Sequence, residues 1–145
     1  MQLVDAHLRS EPRAALASLN GVPETILALL ECTHACLACA DACTSEPARI
    51  PMWRCLRLSL DCAAICGATT SVLSRTVEPD WRVVGAQLQT CIIACDATAD
   101  ACDDHSLDHA HCRIAAETCR TTARVCSRLM STIPTPPATP PSEYP

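Results

Sequence analysis

Apolar residues recur along this chain with the period of an α-helix, and four long stretches carry the pattern between turn signals. Residues 2–19 predict one or two short amphipathic helices broken near Pro12, with Leu3, Leu8, Leu16 and Leu19 placed to pack on the main body. Asn20-Gly21 is a stop signal, and Pro23 suits the first turn of a helix over 23–45. Pro47 and Pro51 bracket a turn, and Pro51 opens a second helix over 51–77. Glu78-Pro79 opens a third over 79–104. The segment His-Ser-Leu-Asp-His-Ala-His, 105–111, is a tight connection in which Ser106 or Asp108 caps a fourth helix over 107–132. Four helices of about 22 to 27 residues with short loops predict an all-α, up-down-up-down four-helix bundle, a single domain over 1–132. Leu27, Leu30, Leu56, Leu60, Leu88, Ile92, Ile114 and Leu129 supply its ordinary apolar contacts, so the chain should be helical without any ligand. The Pro-rich stretch 133–145 cannot be helical and reads as an extended or disordered tail, inert in preference to a Pro-rich recognition segment.

What stands at the inward positions changes the picture. Cys32, Cys36, Cys39 and Cys43 are spaced four, three and four, which places them within an arc of roughly 60° on a helix and over about 16 Å of its length. Such a face normally carries Leu or Ile. Cys55, Cys62 and Cys66 follow at seven and four, Cys91, Cys95 and Cys102 at four and seven, and Cys112, Cys119 and Cys126 at seven and seven. All 13 cysteines belong to these stripes. One buried cysteine acts as a small hydrophobe, but that account does not extend to thirteen in register on four helices.

Composition and charge narrow the class. Hydrophobic residues make up 49% of the chain, yet aromatics are 2% and Phe is absent. Ala35, Ala38, Ala40, Ala63, Ala94, Ala101 and Ala123 flank the thiols and would leave an ordinary bundle core underfilled. A net charge of -5 with no basic run argues against nucleic-acid binding. No window of about 20 residues is free of charge, so no membrane span is expected. The N-terminus, from Met1, lacks the pattern of an export signal, which points to the cytoplasm, where thiols stay reduced. An odd cysteine count and the four-residue spacing both oppose a disulfide framework.

Soft thiolates select Cu(I), Zn(II) or iron–sulfur chemistry. Structural zinc and iron–sulfur clusters use compact ligand sets, often in loops, and straight stripes do not divide into such sets. Cu(I) accepts two or three sulfurs and tolerates bridging thiolates; two bridging thiolates per ion give a ceiling of roughly 13 ions. Each ion also cancels one thiolate charge, which a dry core requires. Cys36 and Cys39 form a C-x-x-C without a βαβ context, and no Cys-His-Asp set assembles, so no enzyme is expected. A thiol-based metal or redox sensor, and a small helical interaction protein with inert cysteines, stay open beside multi-ion Cu(I) storage.

The C-x3-C-x2-C-x3-C stripe followed by three shorter ones resembles the bacterial copper storage proteins, over about residues 23–131. The resemblance implies high-capacity Cu(I) storage in a cysteine-lined four-helix bundle of the cytosolic branch, assembled as a homotetramer, with copper as its partner.

An up-down bundle gathers Cys43, Cys55, Cys102 and Cys112 at one mouth and Cys32, Cys66, Cys91 and Cys126 at the opposite end. Beside the mouth lie His105, His109 and His111, with Met52 at the start of the second helix. Imidazole and thioether hold Cu(I) more weakly than thiolate does, so these four are candidates for admitting the ion, a role that the family resemblance also implies. The alternative is a merely solvated polar loop. His34, Asp41 and Asp100 are offset from the stripes and should face outward, while Trp53 and Trp81 read as packing residues and His7 carries no pattern.

Overall fold

The computed structural model describes residues 2–9, 19–48, 50–75 and 77–135. The expected disorder of the tail beyond residue 135, the expected break near Pro12 and any packing by Leu16 fall outside them. The regular elements are five α-helices: α1 (Gln2–Arg9), α2 (Val22–Thr44), α3 (Trp53–Leu73), α4 (Trp81–Asp103) and α5 (Ala110–Met130). The four long ones form a four-helix bundle in which α2 and α4 each pack against both α3 and α5, and α1 leans on α2.

Local chemistry explains the boundaries. Gly21 takes the left-handed conformation, φ 96°, which only glycine adopts without penalty, and Pro23 follows in the first turn of α2. The Gly21 carbonyl then accepts from both the backbone N–H and the hydroxyl of Thr25. The Asp80 side chain caps α4 by accepting from the Arg82 N–H at 3.0 Å. Ser106 and Asp108 do not cap α5. His109 takes the N-cap position without a side-chain bond, because the loop winds one turn further and Ser106 turns back to the Asp103 carbonyl.

Threonines inside these apolar helices donate to the carbonyl four residues earlier, which satisfies the hydroxyl without solvent. Two reach across as well: Thr98 donates to the Leu58 carbonyl at 3.0 Å and Thr122 to the Ala28 carbonyl at 3.2 Å. These bonds pin α4 to α3 and α5 to α2.

The core has two zones. At one end Val22, Ile26, Leu29, Leu73, Val84, Leu88 and Leu129 are buried against one another. Above them the buried positions are mostly cysteines, with Ala, Thr, Ser59 and Met52 between. Several expected packing residues face outward instead. Leu3 is 83% and Trp53 71% exposed, and Leu30, Leu60 and Ile114 are about half exposed, because the inward positions of their turns are held by other side chains. Val4 and Leu19 make the contacts from the N-terminal segment. Trp81 packs on the core as expected.

α2 and α3 are long and apolar enough, by length and composition, to cross a membrane, although no window was expected to qualify. A bundle's core helix passes the same test, and half of that window in α2 is buried.

Candidate metal centre

All 13 cysteines are buried and none is in a disulfide. The four- and seven-residue intervals put each stripe on the inner face of its helix, and the four faces meet along the bundle axis. Eleven of the sulfurs fall into two hydrogen-bonded groups, with Cys43 beside one and Cys126 beside the other.

The inner group holds Cys32, Cys36, Cys62, Cys66, Cys91, Cys95, Cys119 and Cys126. Cys32 stands at its centre, 3.7 Å from Cys119, 3.9 Å from both Cys36 and Cys95, and 4.0 Å from Cys62. Cys36 reaches Cys119 at 3.6 Å, Cys62 lies 3.7 Å from Cys95 and 3.9 Å from Cys66, and Cys66 lies 3.8 Å from Cys91. Cys126, the last thiol of the α5 stripe, draws the Cys91 thiol down. Cys32 and Cys66, expected at the same end, do lie within 4.8 Å of each other, and Cys32 also reaches the next level through Cys36 and Cys119. Two further turns of α2, carrying the buried Val22, Ile26 and Leu29, precede Cys32.

The mouth group holds Cys39, Cys43, Cys55, Cys102 and Cys112. Cys55 is its hub, 3.1 Å from Cys102 and 3.8 Å from Cys39 and Cys112. His111 Nδ1 lies 3.4 Å from Cys39 Sγ and 3.5 Å from Cys112 Sγ. The ligand atoms of Cys39, Cys43, His111 and Cys112 all lie within 4.8 Å of one another, as do those of Cys39, Cys55 and Cys102. In the inner group the same holds for Cys32, Cys62, Cys66 and Cys95, and for Cys32, Cys36, Cys62 and Cys119. Metal–sulfur bonds of about 2.3 Å span such gaps.

Burial pushes the Cys43 and Cys112 thiols up, and negative charge on Cys55 and Cys39 adds to it. The hydrogen bond from Cys102 draws Cys55 down. A cation would reverse the upward pressure by neutralising each thiolate it binds.

Outside the mouth a short histidine path runs to solvent. The His105 and His109 rings are 6.2 Å apart and those of His109 and His111 are 5.6 Å apart. Glu46 Oε1 lies 2.9 Å from both His109 Nδ1 and His111 Nε2. A carboxylate only accepts, so both nitrogens carry hydrogen, and His111 Nδ1 is left to offer its lone pair to the thiol side. Burial lowers the affinity of His111 for a proton, but hydrogen bonds to Cys39 and Glu46 outweigh it and leave the group raised. The bond from His111 holds Glu46 below the usual carboxylate range. Met52 is buried beside the first turn of α3. His34, Asp41 and Asp100 are exposed.

Glu46 was not among the residues expected at the site. Its only signal in the sequence is its place in the loop that follows α2, facing the histidine connection. The buried Ser59 and Thr98 also stand on the inner faces among the thiols, and the Ser59 hydroxyl has no hydrogen-bond partner.

No curated protein matches the chain in sequence. Solved structures do. The copper storage protein Ccsp of Streptomyces lividans, loaded with 10 copper equivalents, is 40% identical, with a TM-score of 0.85 over 90% of this chain and 99% of its own. The same organism's cytosolic copper storage protein carrying five coppers is 41% identical over 79% of this chain and 95% of its own, TM-score 0.76. Cu(I)-bound BsCsp3 is 26% identical, TM-score 0.68, over 77% of this chain and 99% of its own. The profile of the copper storage proteins matches residues 20–131, α2 to α5 with every thiol stripe, and the chain belongs to the copper storage protein family.

Proposed function

We propose that this chain stores Cu(I) in the cytoplasm, holding many ions per chain on the thiolates of its 13 cysteines. The observation that carries this reading is the burial of all 13 cysteines on the inner faces of four helices, with sulfurs of different helices as close as 3.1 to 4.0 Å. Each ion bridges sulfurs of different helices, each thiol releases its proton as the sulfur–copper bond forms, and the charges cancel in a site that excludes water. The role is sequestration, not catalysis. The copper-loaded relatives, one of them cytosolic, support it.

His105, His109, His111 and Met52 serve the admission of copper, with Glu46 holding two of the rings. The domain comprises residues 1–132, and 133–145 is a tail. The chain assembles with copies of itself, as a tetramer by family resemblance, through the outward apolar side chains of the long helices, among them Leu30, Leu37, Leu60, Ile93 and Ile114. Neither nucleic acid nor a membrane is a partner.

The test is to titrate the reduced, metal-free protein with Cu(I) against a competing chelator and count ions. The expected capacity is on the order of ten or more per chain. Saturation at one or two ions would replace storage with sensing or delivery. Replacing His105, His109 and His111 together should slow loading in a stopped-flow experiment while leaving capacity nearly intact.

A further inference from the structure

Glu46, His109 and His111 form a ligand cluster that contains no sulfur. One ligand atom from each lies within 4.8 Å of the other two. Glu46 Oε1 stands 2.9 Å from His109 Nδ1 and 2.9 Å from His111 Nε2. A divalent first-row cation holds imidazole nitrogen and carboxylate oxygen at about 2.0 to 2.2 Å, and two such bonds at right angles set their ligand atoms about 3 Å apart. Both distances from the carboxylate therefore match the edges of a coordination sphere. The three side chains are 15 to 21% exposed, which leaves one side for water to complete that sphere.

The backbone fixes both arms of the cluster. Glu46 follows the last turn of α2, and its N–H donates to the Cys43 carbonyl. The His109 N–H donates to the His105 carbonyl at 3.0 Å. His109 holds the N-cap position of α5 but makes no side-chain cap; its ring is turned onto Glu46 instead. His111 lies in the first turn of the same helix.

The donor set selects the ion. Two nitrogens and a carboxylate oxygen suit Zn(II), Co(II) and similar divalent ions, whereas Cu(I) prefers the sulfurs beside them. His111 belongs to both sets. Its Nε2 faces Glu46, and its Nδ1 lies 3.4 Å from Cys39 Sγ and 3.5 Å from Cys112 Sγ. A neutral imidazole has a lone pair on one nitrogen only. A cation on Nε2 displaces the proton there, and the ring carries its proton on Nδ1 instead. The ring stays neutral and no electron is transferred. The nitrogen that faces the thiols is then an N–H donor and cannot bind Cu(I).

We propose that Glu46, His109 and His111 form a site for a divalent cation outside the sulfur lumen, and that the bound cation opposes copper entry by withdrawing the His111 lone pair from the mouth thiols. The binding of the cation stands by itself, while its effect on loading rests on the storage reading given above. The opposition is reciprocal: Cu(I) held by His111 Nδ1 weakens the cation at Nε2 by the same factor.

Co(II) is the probe, because thiolate ligands give it an intense near-ultraviolet charge-transfer band that nitrogen and oxygen ligands do not. The full-length, reduced, metal-free protein is titrated with Co(II) in the absence of oxygen. The expected result is uptake of about one ion per chain with visible d–d bands and no charge-transfer band. Glu46→Gln should weaken that uptake by more than about tenfold, since even outer partners of metal ligands are worth that much. Stopped-flow loading with Cu(I) follows, at free Co(II) about ten times its dissociation constant. About one mouth in eleven is then unoccupied, so loading should slow about tenfold. In Glu46→Gln the same Co(II) should leave the variant's own loading rate unchanged. A charge-transfer band from the first addition, or no uptake of Co(II), would overturn the site. Sulfur-free binding that leaves the loading rate untouched would overturn the opposition to copper. A protein that takes up no copper in bulk would overturn storage, and the opposition with it, but not the cation site.

Discussion

The two ends of the bundle are built from the same heptad positions and do different work. At the closed end Leu29, Leu73, Leu88 and Leu129 are fully buried and interlock as in any helical bundle. At the mouth the equivalent inward positions carry Cys43, Cys55, Cys102 and Cys112, and His109, His111 and Glu46 stand half-buried above them. Leucines bury apolar area and ask for nothing else, so the closed end supports the fold on its own. Thiols fill less space and, once ionised, need cations. The fold is therefore anchored where the copper is not, and the zone that holds copper is free to pass between a protonated and a metallated state.

The largest test of that contrast is copper itself. Cu(I) binds the folded lumen and has no preformed site in the unfolded chain, so loading should raise stability by about 4 kcal/mol or more once free copper exceeds its dissociation constant a thousandfold. Thermal unfolding of loaded and metal-free protein measures it, and a strong Cu(I) chelator should reverse it. The metal-free protein should still give a helical circular dichroism spectrum, because the leucine end does not depend on metal.

Next come truncations at the closed end. Leu88→Ala or Leu129→Ala should cost about 2 to 5 kcal/mol in denaturant unfolding, with copper capacity unchanged. Cys119→Ala, in the middle of the inner group, should show the opposite balance: a smaller loss of stability and a measurable loss of capacity. If both kinds of variant lowered stability and capacity together, the two zones would not be separable.

The effect of pH is smaller. The thiols of Cys43 and Cys112 sit above their ordinary values, so at neutral pH they are protonated and copper must displace the proton. Apparent affinity should therefore rise with pH, by roughly tenfold per unit for each proton released, and fall as acid returns the protons. Chelator competition at several pH values reads this slope.

The smallest expected change is at Glu46. Glu46→Gln removes a carboxylate that favours the charged imidazolium, so the titration of His111, followed by NMR in metal-free protein, should move to lower pH. The same variant frees two rings that now share one oxygen, and should alter loading rate more than capacity.

Much of this was legible in the chain because helical periodicity is a local property. The interval from Cys32 to Cys43 fixes which face of α2 carries sulfur whatever the helix packs against, and the same is true of Cys112, Cys119 and Cys126 on α5. Helix order and short loops then put the histidine connection at the mouth. Pattern alone does not say how far one helix slides past another. That register comes from side-chain packing at the closed end and from bonds such as Thr98 to Leu58 and Thr122 to Ala28. It places Cys32 at the centre of the inner group and sets Cys55 against Cys102 at 3.1 Å. It also turns Glu46 onto two histidines more than sixty residues away. The sequence by itself determined that this chain makes four helices, each with a sulfur face. Only the tertiary structure decided which sulfurs meet, because distances between helices depend on packing summed over the whole core.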